Sequence, residues 1–324
     1  MVNLIVAQLV NGVTLGGMYA LIALGYTLVY GILLMINFAH SELFMCGAFV
    51  GLGVMTLLTS SALIERVSWL GWLAPAQQFF TQGGIAGLIA MLAIVFLSSA
   101  IVVGIMGVLI ERLAYRPLRH APRLAPLISA VGVSIFLQNA VLLWISASAL
   151  PFPTVFIPQN ITLPGGAVIT TLQVLILVTA GVLLLIVDTF IGRTRVGKAM
   201  RATSQDRDAA GLMGIDINTV IALTFFIGPA LGAVAGVFSG MYYGSIKFDM
   251  GFLPGIKSFT AAVLGGIGNL RGAMLGGLVL GIVESLAAGF LSSGYKDVVA
   301  FAILILVLIF RPGGLLGESV VEKV

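Results

Sequence analysis

Long apolar runs separated by short polar segments constrain this chain more than any other feature of its sequence. The runs fall near residues 4–36, 43–59, 84–110, 124–146, 167–191, 219–243, 258–290 and 297–310. Only 9% of the residues are charged and 60% are hydrophobic, whereas a soluble domain carries about 25% charged residues. Because such a chain cannot cover itself with a polar surface, the sequence predicts an all-α, polytopic transmembrane helical bundle.

The length of the chain sets the number of spans. A helix needs about 20 apolar residues to cross the hydrocarbon core, so this chain has room for about eight to ten spans joined by short loops. This predicts a single membrane domain over residues 1–324, without a sizeable soluble part. Two runs are interrupted: the first contains Gly16-Gly17 and the seventh contains GGIGNLRGA at 265–273. We expect short or broken helices in both, with the seventh run split at Asn269–Gly272.

The basic residues predict the orientation. Of the 16 Lys and Arg residues, 11 lie in the segments 111–123 and 192–218 and in the tail at Arg311 and Lys323. Because basic loops remain on the cytoplasmic side, we expect all three segments there, and with them the C-terminus. The uncharged, proline-containing loop 147–166 is expected outside. Residues 1–41 contain no Lys, Arg, Asp or Glu, whereas a cleavable signal begins with a basic segment, so we expect the first span to be retained.

The sequence offers no pattern typical of an enzyme or a metal site. The histidines His40 and His120 lie on different segments, and H-E-x-x-H, C-x-x-C and G-x-S-x-G are absent from the sequence. The single cysteine, Cys46, excludes an intrachain disulfide and is expected to be a small core residue. The net charge of +4 reflects basic segments between apolar runs and does not indicate nucleic-acid binding.

The stretch GRTRVGKA at 192–199 resembles a phosphate-binding loop but ends differently. Such a loop needs Ser or Thr after its lysine to bind Mg²⁺ and follows a buried strand. Here Ala199 occupies that position and the preceding residues end an apolar run. We therefore expect this chain to bind no nucleotide and no other cofactor.

The residues after this stretch, RATSQDRDAAGLMGI at 201–215, predict a short helix of about nine residues. Thr203 and Asp206 have capping-box spacing, with Ser204 as an alternative cap. Ala209, Leu212 and Met213 form an apolar stripe, and Gly214 can end the helix. One interpretation is an interfacial helix lying on lipid. The other is a docking helix for a cytoplasmic partner, favoured by the small residues Ala209-Ala210-Gly211, since a lipid anchor prefers large apolar side chains.

Glycines spaced by four residues predict where helices pack closely, because one helix face then lacks side chains. This spacing also suits a surface along which helices shift during transport. The glycines in question are Gly228, Gly232, Gly236, Gly240, Gly268, Gly272 and Gly276.

Polar residues at membrane depth form the second set of candidates. Asn37, His40 and Glu42 interrupt an apolar region, and Glu284 lies within another. Ionisable groups in hydrocarbon are costly and commonly face a cavity or a partner. Residues 35–45 either line a substrate path or gate, or form a turn at the membrane boundary, and His40 and Glu42 would not share a helix face. Glu284 either faces the path or is an interhelical structural carboxyl.

The sequence closely resembles LivH-type membrane permeases of branched-chain amino acid ABC importers. The resemblance covers nearly the whole chain. It rests on NGVTLGGMYALIALGYTLVYGILLMINFAHSE (11–42), IERLAYRPLR (110–119), LISAVGVSIFLQN (127–139), VGKAMRATSQDRDAAGLMGI (196–215), VIALTFFIGPALGAVAGV (220–237) and FTAAVLGGIGNLRGAMLGGLVLGIVES (259–285).

This resemblance implies a role for the loop 192–218. Residues 201–215 would form the coupling helix that contacts an ATPase subunit, with ATP and Mg²⁺ bound by that partner. Within this helix the residues implied in coupling are Arg201, Ala202, Asp206, Ala209, Ala210, Gly211 and Gly214. The chain itself would be a transport subunit and not an enzyme.

The resemblance also implies the rest of the assembly, which would stand in the bacterial inner membrane. Two cytoplasmic ATPase subunits, a second permease subunit that is a paralogue of this one, and a periplasmic binding protein would complete the importer. Three alternatives remain at this stage: a related importer for urea or short amides, an ion-coupled secondary transporter, and a membrane scaffold or receptor. An ion-coupled transporter would show paired ionisable residues near the midplane and inverted repeats. The polar residues at depth and the broken helices disfavour a scaffold.

Overall fold

A computed structural model describes residues 2–60, 74–119, 121–122, 124–154, 159–162, 168–311 and 313–317. Helices account for most of this part of the chain. They are α1 Val2–Leu33, α2 Ala39–Thr59, α3 Ala74–Gln82, α4 Gly84–Ile110, α5 Leu124–Trp144, α6 Thr171–Arg193, α7 Arg195–Gln205, α8 Arg207–Leu212, α9 Ile217–Tyr243, α10 Phe252–Gly265, α11 Leu270–Phe290 and α12 Lys296–Phe310. A π-helical turn, Glu111–Tyr115, and a 3-10 turn, Arg116–Leu118, extend α4.

The fold class is the predicted one, an all-α membrane bundle. Among the described residues, seven helices are long and apolar enough to cross a bilayer: α1, α2, α4, α5, α6, α9 and α11. Two shorter helices, α10 and α12, complete the bundle. The four short strands pair as two small antiparallel ribbons, β1 Leu150–Pro151 with β4 Ser245–Ile246, and β2 Asn160–Thr162 with β3 Val168–Thr170.

Of the two predicted helix interruptions, one is confirmed and one is wrong. The seventh run is split, because α10 ends at Gly265 and α11 begins at Leu270. Asn269 caps α11 by accepting a hydrogen bond from the backbone N–H of Gly272 at 3.1 Å. The first run is one continuous helix of 32 residues. Its Gly16 does not break α1, because it is a packing position against α11.

The contact between α1 and α11 is built on glycines from both helices. A Cβ atom added at Gly12 would lie 2.6 Å from the Cα of Ile282, and one added at Gly277 would lie 2.6 Å from the Cα of Ala20. At these glycine positions the two backbones leave no room for a side chain. Close backbone approach of this kind is the main packing device available in lipid.

The glycine series in α9 packs in the same manner against its neighbours. Gly228 approaches the backbone of Gly25 in α1, and Gly236 approaches Phe44 and Ala48 in α2. Gly232 lies beside the His40 ring, and Gly240 beside Phe152. The helix continues through Pro229, whose ring packs on Gly107 of α4.

The second predicted series, Gly268, Gly272 and Gly276, requires a correction. Gly268 lies before α11 with a positive φ of 96°, so it belongs to the connecting turn and not to a helix face. Gly272 and Gly276 lie in α11 and approach Gly265 and Ala261 of α10. The three glycines are spaced by four residues, but the first lies in the turn between α10 and α11 and only the last two lie in a helix.

The segments that carry the three basic clusters meet at one end of the bundle. Arg119 Nη1 donates to Asn218 Oδ1 at 2.8 Å at the start of α9, and Arg207 donates to the carbonyl of Ile32 at the end of α1. The backbone N–H groups of Leu315 and Leu316 donate to the carbonyls of Leu264 and Gly265 at 2.8 and 3.0 Å. We call this the basic end, defined by residues 111–119, 192–218, 264–271, 311 and 313–317.

The α1–α11 contact predicts the effect of a single methyl group. We expect Gly277→Ala to lower the free energy of unfolding by about 1–3 kcal/mol, because the added Cβ overlaps the Ala20 backbone. Gly181→Ala is the matched control, since nothing lies within 4 Å of a Cβ there, and Ala in a helix is favoured over Gly by about 0.5–1 kcal/mol. Thermal unfolding followed by labelling of the buried Cys46 thiol compares the two. Equal effects would contradict the packing argument.

Candidate functional site

The predicted path residues Asn37, His40 and Glu42 lie where the chain passes from α1 to α2. Asn37 precedes α2, while His40 and Glu42 belong to its first turn. The interpretation of residues 35–45 as a turn at the membrane boundary is therefore wrong for His40 and Glu42. All three side chains are buried, with at most 1% of their surface exposed.

His40 faces α1 and α9. Its Nε2 lies 3.2 Å from the carbonyl oxygen of Ile22, and because a carbonyl only accepts, Nε2 carries the hydrogen. The ring meets the Tyr26 ring edge-on at 4.8 Å. Gly25 makes room for the imidazole, since any Cβ there would overlap it. Within the described part of the chain, His40 Nδ1 has no hydrogen-bond partner.

Glu42 faces another helix than His40 does, as predicted for two residues that do not share a helix face, and Asn37 faces the π-helical turn after α4. Asn37 Oδ1 accepts from the Tyr115 hydroxyl at 2.7 Å and from the Ala39 N–H at 3.1 Å. Glu42 Oε1 accepts from Ser134 Oγ of α5 at 3.3 Å. Asn37 Nδ2 and Glu42 Oε2 are buried and make no hydrogen bond to any described residue.

Each of the three candidate residues thus has one buried polar atom without a hydrogen bond to any described residue: Asn37 Nδ2, His40 Nδ1 and Glu42 Oε2. Buried polar groups are normally satisfied by protein or water, so a group of open ones needs an explanation. Ordered water commonly satisfies such groups. The three atoms are a donor, an acceptor and a carboxylate oxygen.

Glu284 lies in a different environment, as a fully partnered carboxylate. It accepts from the Tyr19 hydroxyl at 2.9 Å and from Lys257 Nζ at 2.7 Å. Lys257 Nζ also lies 2.5 Å from Asp297 Oδ1. The exposed fractions are 5% for the Lys257 side chain, 3% for Glu284 and 35% for Asp297. We call these three residues the buried charge cluster. It joins α10, α11 and the first turn of α12.

The sequence analysis did not include Lys257 and Asp297 among the candidates. Lys257 directly precedes the seventh apolar run, and Asp297 begins the eighth. Both therefore look like the solvated ends of helices. Their spacing from Glu284, 27 and 13 residues, could have suggested pairing only if the turn after α10 and the loop before α12 had been located.

The predicted coupling segment folds as two helices instead of one. Asp206 ends α7 and caps α8, and its Oδ1 accepts from the Ala209 N–H at 2.9 Å. Thr203 hydrogen-bonds within α7 to the Ala199 carbonyl, so the predicted cap at Thr203 or Ser204 is wrong. Arg201 and Ala202 consequently belong to α7. Gly214 ends the turn after α8 with a φ of 81°, as predicted.

The outward surface of α8 carries the charged side chain of Asp208 at its start and an apolar stretch toward its C-terminal end. Leu212 is 89% exposed and Met213 82%, and Ala209, Gly211 and Gly214 are exposed beside them. Ala210 is buried against the rest of the chain, with 4% of its surface exposed, so it supports α8 and does not contribute to its surface. We call Ala209, Leu212 and Met213 the α8 stripe.

Arg207 anchors α8 to the bundle. Its guanidinium donates to the Ile32 carbonyl at the end of α1, through Nε at 2.9 Å and also through Nη2. Burial, and after it the charge of Arg119, lower the pKa of Arg207 from its usual value. These hydrogen bonds join α8 to the end of α1, from which the chain continues to Asn37 and α2. Among the described residues, no group of three or more His, Cys, Asp or Glu could hold a metal ion.

Comparison of the sequence with known proteins shows the family of this chain. Residues 8–308 match the family model described as branched-chain amino acid transport system, permease component. The high-affinity branched-chain amino acid transport system permease protein BraD of Pseudomonas aeruginosa is 48% identical over 98% of this chain and 97% of its own length. The corresponding protein LivH of Escherichia coli is 46% identical over 98% and 97%.

A more distant similarity concerns a second type of permease. The probable branched-chain amino acid transport permease protein LivM of Methanocaldococcus jannaschii is 31% identical over 39% of this chain and 41% of its own length. No solved structure matches the chain. A family model that covers most of the chain, together with near full-length relatives, is decisive, and the chain therefore belongs to the permease components of branched-chain amino acid transport systems.

Proposed function

We propose that this chain is a membrane-spanning subunit of an ATP-driven importer that carries branched-chain amino acids across the bacterial inner membrane. The observation that carries the proposal is the near full-length similarity to permeases named for this transport. The basic end would face the cytoplasm, since basic segments remain on that side. The C-terminal residues 313–317, which pack at the basic end, would then be cytoplasmic as well.

The α8 stripe would be the contact with an ATPase subunit. Large apolar side chains with more than four fifths of their surface exposed, as for Leu212 and Met213, are costly in water unless a partner covers them. An amphipathic helix seated in a groove of a partner is a common recognition mode. ATP and Mg²⁺ would be bound by that partner, which would supply the energy for transport. Arg201, Ala202, Asp206 and Gly211 would support this contact from α7 and α8.

Coupling would pass from α8 to the path through Arg207. Its hydrogen bonds to Ile32 connect α8 to the end of α1, which is five residues before Asn37. The open polar atoms of Asn37, His40 and Glu42 would line the path, where a zwitterionic amino acid could replace the missing partners. Weak contacts of this type suit release on the far side.

Glu284 would belong to a gate held by the buried charge cluster. Because it lies among α10, α11 and α12, exchange of the Lys257 contacts would accompany a shift of these helices. The glycine-lined faces of α9 and α11 would allow such a shift, since they present backbone to backbone.

The remaining partners would be a second permease, two ATPase subunits and a periplasmic binding protein that selects the substrate. The partial similarity to a LivM-type permease supports a paralogous partner, since the two permease types share sequence over part of their length.

An uptake assay tests the proposal. Cells lacking the gene for this chain should lose uptake of labelled leucine and valine, and the intact gene should restore it, while uptake of labelled urea stays unchanged. Restoration should require ATP. If the purified chain alone in liposomes took up leucine along an ion gradient without ATP, the proposal would be wrong. Loss of urea uptake in place of leucine uptake would assign a different substrate.

A further inference from the structure

A groove at the basic end lies between the end of α4 and the beginning of α9. Its volume is about 480 Å³, within the range of about 300–1,000 Å³ typical of small-ligand sites. Its lining includes Arg112, Arg116, Asp216, Ala222, Leu223 and Phe226. It therefore has a charged mouth and an apolar wall. None of these residues belongs to the α8 stripe or to the proposed path.

The charge available at the mouth is positive. Glu111 is paired with Arg119. Asp216 caps α9, accepting from the Asn218 N–H at 3.0 Å and from Thr219 Oγ1 at 2.6 Å. Arg112 and Arg116 are exposed, and neither makes an ion pair with any other described residue. Glu111 is thus neutralised by Arg119, whereas Asp216 keeps its charge and interacts with Arg116. The three arginines Arg112, Arg116 and Arg119 still outnumber the two carboxylates, which leaves a net positive charge for an anion.

The wall of the groove belongs to membrane-crossing helices. Val108 lies in α4, and Ala222, Leu223 and Phe226 lie in the first turns of α9. Leu109 and Leu113, on the adjoining surface of α4 and its π-helical turn, are 49% and 77% exposed, as expected for side chains that meet lipid. The groove thus joins charged side chains at its mouth to an apolar wall on two membrane-crossing helices.

We propose that this groove binds one anionic phospholipid, with its phosphate between Arg112 and Arg116 and an acyl chain along Leu223 and Phe226. Guanidinium groups form strong, charge-assisted hydrogen bonds to phosphate oxygens. Basic pockets between membrane helices on the cytoplasmic side are suited to anionic headgroups. A soluble anion would use the arginines but would leave the apolar wall uncovered. A lipid uses both parts of the groove and is supplied by the surrounding bilayer.

Lipid retention tests this proposal. The purified full-length chain is reconstituted in nanodiscs of phosphatidylcholine and phosphatidylglycerol in equal amounts, and native mass spectrometry measures the phosphatidylglycerol retained after mild extraction. We expect Arg112→Gln with Arg116→Gln to weaken retention by about 25-fold, about fivefold for each arginine. The matched control is Arg193→Gln with Arg195→Gln, two exposed arginines of the same end outside the groove. It should stay near the wild-type value.

A second variant keeps the charges and fills the groove. Ala222→Phe should reduce phosphatidylglycerol retention without changing the arginines, and intact Cys46 protection would show that each variant is folded. If the two double arginine variants lost phosphatidylglycerol to the same extent, the proposal would be wrong. Retention would then depend on the overall positive charge of this end and not on the groove. Saturable binding of inorganic phosphate in pure phosphatidylcholine that displaces phosphatidylglycerol would assign a soluble anion instead. If the groove variants retained phosphatidylglycerol as the wild type does but no longer copurified with an ATPase, the proposal would also be wrong. The groove would then be a contact with a protein.

Discussion

Replacing Lys257 by methionine is expected to destabilise the folded chain more than any other substitution considered for this protein. Lys257→Met keeps the apolar stem but leaves Glu284, only 3% exposed, as a buried charge held by the Tyr19 hydroxyl alone. Removing one partner of a buried ion pair costs about 3–5 kcal/mol. The measurement is thermal unfolding in detergent, followed by labelling of Cys46. Because Cys46 is the sole cysteine of the chain and is buried, its labelling reports loss of the fold.

The matched control is Lys247→Met. Lys247 also pairs with a carboxylate, Asp249 at 3.0 Å, but the two side chains are 47% and 43% exposed. Exposed pairs contribute about 0–1 kcal/mol, so this change should be nearly silent. Adding Glu284→Gln to Lys257→Met should recover part of the stability, because the uncompensated charge is removed. If the double variant were as unstable as Lys257→Met alone, the explanation based on a buried charge would be wrong.

The second large effect is expected at the α8 stripe. Leu212→Glu places a charge on the most exposed apolar side chain of α8 and should weaken binding of the ATPase subunit by roughly 30-fold or more, the loss typical of an interface hot spot. The measurement is titration of the purified permease with the ATPase subunit. Leu212→Met, which keeps the apolar contact, should bind nearly as the wild type does.

Two comparisons make this prediction specific. Leu124→Glu changes a residue of the same end that is 68% exposed and lies at the start of α5, outside α7 and α8, and it should bind normally. A charge at Ala210 is a poorer test, because Ala210 is buried within the chain and its replacement would also disturb the packing of α8. Unchanged affinity of Leu212→Glu would assign the ATPase contact to another surface of the basic end.

The sequence predicted the helices and their ends well where local chemistry decides them. The small number of charged residues and the length of the apolar runs predict the membrane bundle. Asn269 and the glycines around it imply the break before α11, because a cap and a positive-φ glycine act within a few residues. Asp206 shows the limit of that approach. From the sequence, Asp206 could either cap a helix or lie in the first turn of one. The outcome depends on α7, because the packing of α7 positions the chain just before Asp206.

The misassigned features depend on contacts distant in sequence. Gly16 resembled a helix break, but α11 approaches it from more than 260 residues away. Lys257 resembled a helix end in water, but it meets Glu284 and Asp297 only after α10, α11 and α12 have packed. His40 and Glu42 were recognised as unusual from their surroundings in the sequence. Which helix each one faces could not be read from spacing, since α1, α5 and α9 supply the neighbours.

The pairing of α1 with α11 has a consequence for how the chain is made. Synthesis proceeds at about 5–20 residues per second, so the first helix emerges roughly 13–51 seconds before the helix that covers its glycine-lined face. During this interval α1 must remain in the bilayer with that face open to lipid or to the insertion machinery. Its hydrogen bonds are internal, so it can persist alone as a helix. The central helix pair of the protein therefore forms among the last, and its assembly is a post-insertion event.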